Sequence, residues 1–265
     1  MKTKILRSLA SAIFTCSATI AFSAPPHWSH DEQPTWWAIE DTSQDVPLKY
    51  PYGECGIGKR QSPVDLAAAT ISNTKTLNRL QALYGTDTPV FFNGGHGVQV
   101  NTSLNYAGEL KVGEESFPLI QFHFHEPSEH VVGGKAFPAE LHFVHINDDG
   151  RIIVLATAID VGDENPIFQT ILDNTPHEAG GQNPDTGIQI NPALLLPATL
   201  DPENLDFYTF AGSLTTPPCS EGVQWFLLSK TITISAAQLE QLKGFYTNNA
   251  RSAQDLNGRT ILSTE

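Results

Sequence analysis

Basic residues are scarce in this chain: 15 Lys and Arg stand against 29 Asp and Glu, a formal charge of −14 with neutral histidine. A surface of that sign opposes nucleic acid and anionic membranes as partners, and a small neutral substrate is indifferent to it. Apolar runs long enough to cross a bilayer are also missing. Residues 9–22 come nearest, but they are too few and too polar to span. They follow Lys2, Lys4 and Arg7 and lead into Ala21-Phe22-Ser23, the order of a signal peptide. Residues 1–23 are therefore expected to be removed on export, leaving 24–265 as one mature domain, periplasmic or secreted. Removal takes away three basic residues and no acidic one, so the mature charge is about −17.

Cysteine is equally sparse. Of three, Cys16 leaves with the signal, and Cys55 and Cys219 remain. An even pair in an oxidising compartment predicts one disulfide. It closes a loop of about 164 residues, worth about 5 kcal/mol in the chain-entropy model. No internal repeat, low-complexity tail or linker interrupts the chain.

What recurs instead is short and apolar or alternating: residues 90–92, 97–100, 109–112, 119–125, 139–146, 152–159 and 224–228. Turn signals such as Asn93-Gly94-Gly95, Asp148-Asp149-Gly150 and Pro217-Pro218 separate them, a pattern dominated by β-sheet. Residues 152–159 are apolar on both faces and predict a central strand. Helices are few. One is expected over residues 165–172. Another opens at Ser235, where Ser235 and Gln238 form a capping box ahead of an apolar stripe of Leu239, Leu242, Phe245 and Tyr246. Residues 24–60 read as an irregular arm packed by Trp28, Trp36 and Trp37, and residues 174–193 read as a loop.

The chemistry concentrates in residues 121–144. Side chains two apart on a strand share a face. A strand there projects Gln121, His123 and His125 together and sends Phe122 and Phe124 the other way. A second strand projects Glu140, His142 and Val144 together and sends Leu141 and Phe143 the other way. Two antiparallel neighbours then present three imidazoles on one surface, and three nitrogen ligands with one open position describe a catalytic zinc site. Glu140, two residues before His142, can accept that ring's other N–H and set its tautomer.

A further cluster is Gly212-Ser213-Leu214-Thr215-Thr216-Pro217-Pro218-Cys219. Together with QFHFH, SEH and ELHFVH, and with Arg60-Gln61-Ser62-Pro63-Val64, Asn93-Gly94-Gly95-His96-Gly97, Arg251 and residues 254–259, it makes the chain resemble the α-class carbonic anhydrases, especially exported bacterial members. The resemblance runs from about residue 27 to 260. It implies a β-dominated α+β single domain, with a large central, mostly antiparallel twisted sheet and a few short peripheral helices. It also implies cis bonds at Ser62-Pro63 and Pro217-Pro218.

For the site, the resemblance implies zinc held by His123, His125 and His142, with Gln121 and Glu140 behind them. Thr215 looks like the hydroxyl that orients a zinc-bound hydroxide, and Glu129 like the carboxylate that takes the Thr215 proton. Val144, Val154, Leu214, Thr215, Thr216, Val223 and Trp225 resemble the substrate contacts, and His96 resembles the proton shuttle. The implied reaction is reversible hydration of carbon dioxide to bicarbonate and a proton. Gly94 and Gln99 stand where the family commonly has asparagine, and His30 where it commonly has tyrosine. The water path is therefore expected to differ, with His30 a candidate second shuttle. A zinc esterase and a non-catalytic binding module are rivals. The valines argue for a small pocket, and the intact ligand set with Thr215 and Glu129 argues against loss of catalysis. The sequence leaves the assembly open between a monomer and a homodimer.

Overall fold

The computed structural model describes residues 25–74, 77–184, 186–198, 201 and 205–264; the expected signal peptide, residues 1–23, lies outside them. Thirteen strands make one mixed sheet among these residues. They are β1 (Thr70–Asn73), β2 (Leu80–Leu83), β3 (Val90–Asn93), β4 (Val98–Asn101), β5 (Glu109–Val112), β6 (Glu115–His125), β7 (Ala139–Ile146), β8 (Ile152–Val161), β9 (Gln182–Asn183), β10 (Phe207–Ser213), β11 (Glu221–Leu228), β12 (Ile232–Ile234) and β13 (Thr260–Ser263). The order across the sheet is β1-β13-β10-β11-β8-β7-β6-β4-β3-β9, with β12 on β8 and with β5 joining β2 to β6. Neighbours are antiparallel except β1 with β13 and β8 with β11 and β12.

β8 is the central strand that its two apolar faces predict: residues 153–159 are all buried, between β7 and β11. Two cores lie on the sheet. The larger holds Phe122, Phe124, Leu141, Phe143 and Leu155; the smaller holds Val154, Ala156, Phe210, Val223, Trp225 and Leu227. Alternation divides them, since successive residues of β8, Val154 and Leu155, fall in different cores.

Helices are peripheral and short: α1 (Glu54–Ile57), α2 (Pro166–Asn174) and α3 (Ala236–Lys243), with 3₁₀ turns at His30–Ala38, Leu66–Ala68 and Pro192–Leu195. α2 starts because Asn165 Oδ1 accepts the N–H groups of Ile167 and Phe168, while Pro166 needs no partner for the donor it lacks. α3 has the predicted capping box. Its Gln238 also exchanges two hydrogen bonds with the backbone of Asn165, tying the two helix starts together.

Several expectations need correction. Trp36 is fully buried, and Trp37, though 50% exposed, rests against Gly56 of α1. That arm carries a 3₁₀ helix over His30–Ala38, so it is not wholly irregular. Phe245 and Tyr246 pack against the larger core from beyond the end of α3 at Lys243, so the stripe is not all helical. The segment 174–193 contributes the edge strand β9, paired with Phe91 and Phe92 of β3. The expected disulfide between Cys55 and Cys219 is formed, with their Cα atoms 5.0 Å apart. Ser62-Pro63 and Pro217-Pro218 are cis, as are Val46-Pro47 and Glu126-Pro127.

Candidate metal centre

The β6–β7 register sets His123 opposite His142 and His125 opposite Glu140. A bulge between Leu119 and Gln121 decides which way the histidines face. Before it, Phe117 and Leu119 point into the larger core; after it, Phe122 and Phe124 do. One extra residue has exchanged the two faces. Gln121, His123 and His125 are thereby turned out of that core, onto the side of His142.

The three rings converge, with centroids 5.0 Å (His123–His125), 5.2 Å (His123–His142) and 4.6 Å (His125–His142) apart. One nitrogen of each is occupied by an acceptor. His123 Nδ1 donates to Gln121 Oε1 at 2.8 Å, His125 Nδ1 to the Asn249 carbonyl at 2.9 Å, and His142 Nε2 to Glu140 Oε1 at 2.8 Å. An amide oxygen, a carbonyl or a carboxylate can only accept, so each ring carries its proton on that side. His123 Nε2, His125 Nε2 and His142 Nδ1 are left with lone pairs, and one atom from each ring lies within 4.8 Å of the others. His125 Nε2 is buried without a hydrogen-bond partner. Burial, with His125 and His142 close by, lowers the pKa of His123 well below the ordinary imidazole value. Burial also lowers that of His125, although the Glu129 charge opposes it. Neutral rings with free lone pairs are what a metal ion requires.

Behind the rings, Glu140 is gripped from four sides. Its Oε1 accepts from His130 Nδ1 at 2.6 Å as well as from His142, and its Oε2 accepts the backbone N–H groups of Glu129 (3.0 Å) and His130 (2.8 Å). Burial alone pushes the carboxyl pKa up, but the His130 charge and the bonds from His130 and His142 outweigh it and hold it well below the usual range. His130, Glu140 and His142 also lie close enough to bind an ion. Their facing atoms are already spent on one another, so this group is a support. Glu140→Gln is expected to weaken metal affinity about 10–100-fold, read by competition with a chromogenic chelator; unchanged affinity would show that Glu140 does not tune His142.

Two supports were not read from the sequence. Asn249 presents its carbonyl to His125, while its side chain donates to the carbonyls of His96 (2.7 Å) and Phe124 (3.1 Å) and accepts from Glu126 N–H (2.7 Å). His130 is the other. Asn249 lies 124 residues from His125 and His130 ten from Glu140, and neither stands at strand spacing from one of the three histidines.

A cavity of about 260 Å³ opens onto His123 and His125, with Trp28, Phe92, His96, Gln99 and Thr216 on its wall. Gly94 also lines it. Of the predicted substrate contacts, Val154, Val223 and Trp225 lie in the smaller core, with Val144 and Leu214 packed on it; Trp225 stands 4.9 Å from the His142 ring. Glu129 is buried, Oε1 accepting from Arg251 N–H at 2.8 Å. Its Oε2 has no hydrogen-bond partner and lies 3.6 Å from His125 Nε2 and 4.0 Å from His142 Nδ1. Thr215 is buried. Among the described residues no hydrogen bond joins it to Glu129.

Fold and site together define a sheet-borne group of three imidazoles that could hold a metal ion, with an open face toward a small cavity. A sequence profile of eukaryotic-type carbonic anhydrases matches residues 43–265. A carbonic anhydrase of Pectobacterium atrosepticum is 38% identical over 258 residues, covering 96% of both chains, and one of Pectobacterium carotovorum is 36% identical over 99% of this chain and 100% of the other. The solved α-carbonic anhydrase of Thermovibrio ammonificans, in complex with the inhibitor sulfanilamide, superposes with a TM-score of 0.72 at 39% identity, covering 80% of this chain and 90% of that one. The chain belongs to the eukaryotic-type, α-class carbonic anhydrase family. Membership implies carbon dioxide hydration as its reaction.

Proposed function

We propose that the mature chain, residues 24–265, is an exported zinc enzyme, periplasmic or secreted, that interconverts carbon dioxide and bicarbonate. One observation carries this: three buried or half-buried imidazoles converge with one lone pair each, every tautomer set by a fixed acceptor. Three nitrogen ligands and a cavity on the open side fit a catalytic zinc site. A zinc ion there acidifies its bound water enough to supply a nucleophile at neutral pH, an effect for which carbonic anhydrases are themselves the standard example.

The chain's own residues do the rest. The apolar side chains of the smaller core, Val144, Val154, Leu214, Val223 and Trp225, are the dry side offered to carbon dioxide in this reading, Trp225 lying 4.9 Å from the His142 ring. Thr215 and Thr216 offer hydroxyl and backbone groups beside it. Glu129 Oε2, buried and without a partner, is the acceptor that the Thr215 hydroxyl needs in order to present only lone pairs to the reacting oxygen. His96 lines the same cavity and takes the released proton outward. A bridged pair of cysteines and the expected signal peptide support export. No helix among the described residues is long and apolar enough to cross a membrane.

Stopped-flow carbon dioxide hydration, with and without a zinc chelator, tests the reading. Chelator-sensitive turnover is expected, and turnover that survives complete zinc removal would defeat it. His96→Ala should lower turnover in weak buffer on the order of tenfold or more, with recovery in concentrated imidazole. Equal rates in weak buffer would remove His96 from the proton path.

A further inference from the structure

Two asparagines in the chain precede a glycine, Asn93 and Asn257. At such a step the side-chain amide is open to attack by the next backbone nitrogen, because glycine carries no side chain to hold that nitrogen off. The fold treats the two steps in opposite ways. Asn93 is 2% exposed. Its Nδ2 donates to the carbonyls of Pro176 (3.0 Å) and His177 (3.1 Å), and its Oδ1 accepts the Gly95 N–H at 2.9 Å. The nitrogen placed to attack it, Gly94 N, is spent on the Gly97 carbonyl at 3.2 Å. Asn257 and Gly258 are both exposed. They are the central pair of a tight turn, with φ of 50° and 79° and with Arg259 N–H donating to the Leu256 carbonyl at 3.0 Å. That closing bond leaves the Gly258 N–H outside the turn, and no described residue accepts it. A Cβ at Gly258 would meet nothing within 4 Å, so nothing shields this nitrogen from water or base.

We propose that Asn257 is a site of spontaneous deamidation in the folded protein, and that the change loosens the clasp to which it belongs. Gly258 N, once base has taken its proton, forms a bond to Asn257 Cγ. The Cγ–Nδ2 bond breaks, ammonia leaves, and a five-membered succinimide remains. One water molecule opens that ring at either carbonyl, leaving aspartate or isoaspartate at the position; nothing is oxidised or reduced. What the protein loses is a donor. Asn257 Nδ2 donates to the carbonyl of Lys59 at 3.1 Å and to that of Asp255 at 3.4 Å. A carboxylate can only accept, so it faces both carbonyls with no hydrogen to share. The bond to Lys59 is one part of a wider attachment. Gln254 N–H donates to the Pro63 carbonyl at 2.8 Å, and Arg259 donates through Nη2 to the Gln61 carbonyl at 2.7 Å and through Nη1 to that of Ala211 at 3.0 Å. Residues 254–259 thus hold residues 59–63 against the end of β10, which runs on into Leu214 and Thr215. Isoaspartate also lengthens the backbone by one carbon, which shifts Arg259 relative to its acceptors.

The test is warm incubation of the folded mature protein at mildly alkaline pH, then acid-protease digestion and mass spectrometry of the peptides that hold residues 93 and 257. The peptide with residue 257 is expected to gain the mass of an amide turned to acid and to separate into aspartate and isoaspartate forms. Asn93 should lag by about tenfold or more, since its two donated side-chain bonds must open before it reacts. With the chain reduced and unfolded in guanidinium, the two peptides should convert at similar rates. The consequence for the clasp is read on Asn257→Asp, expected to lower Tm by roughly 2–4 °C, the scale of one lost hydrogen bond in a domain of this size. Conversion at 257 no faster than at 93 in the folded protein, or a lag at 93 that persists in the unfolded chain, would overturn the assignment of the site. An Asn257→Asp variant that melts with the wild type would overturn the role of its side chain in the clasp.

Discussion

His142→Ala is expected to empty the site of zinc and to lower carbon dioxide hydration on the order of a thousandfold or more, because two ligands neither hold the ion firmly nor leave it catalytic. His142 is the candidate ligand that β7 supplies, and without it His123 and His125 remain on a single strand. Glu140 keeps three of its four donors, His130 Nδ1 and two backbone N–H groups, so the buried carboxylate stays satisfied and the sheet should hold. His123→Ala gives a second measurement with less disturbance, since that ring is only half-buried. Zinc content by atomic emission and hydration by stopped flow check both variants. Full zinc occupancy in either, with the native rate, would mean that the triad is not the metal site.

Removing the disulfide should have the other large effect. Cys55→Ser with Cys219→Ser is expected to cost about 2–5 kcal/mol, which lowers Tm by roughly 4–20 °C for a domain of this size. The bridge closes a loop of 164 residues, and its surroundings link it to the site. Cys219 lies four residues after Thr215, is fully buried, and donates its N–H to the Thr216 carbonyl at 2.9 Å. Its own carbonyl accepts from Gln61 Nε2 at 3.1 Å, while the Cys55 carbonyl accepts from Arg251 Nη2 at 3.2 Å. Arg251 in turn holds Glu129 through its backbone N–H. Turnover should therefore fall along with Tm, because the loop carrying Thr215 and the carboxylate of Glu129 share one buried network. A lower Tm with an unchanged rate would confine the bridge to stability.

Much of this network was legible before any coordinates. Period-two alternation in β6 and β7, with polar residues on one face and Phe or Leu on the other, placed the three histidines together and pointed to Glu140 as the partner of His142, while the family resemblance named Gln121. The run of β8 was recognisable because a strand buried on both faces has no polar side. Strands with weaker patterns escaped. β1 is exposed throughout and only four residues long, β12 has three residues, and β10 mixes Ala211, Gly212 and Ser213 into its end. These strands exist because neighbours supply ladder partners, as β13 does for β1 and β11 for β10. Local preference does not encode them.

Sequence by itself determined the three converging histidines, their shared face, the disulfide and the family, because each depends on residue type and spacing along the chain. Tertiary structure alone decided the rest. The bulge after Leu119 turned the histidines out of the larger core, a matter of one unpaired residue in a ladder. The Asn249 carbonyl, 124 residues from His125, fixed that ring's tautomer. Trp28 and Trp36 fixed His30 beside His96. These contacts join segments distant along the chain, and which nitrogen faces which acceptor is set by packing, a property that no local pattern of side chains records.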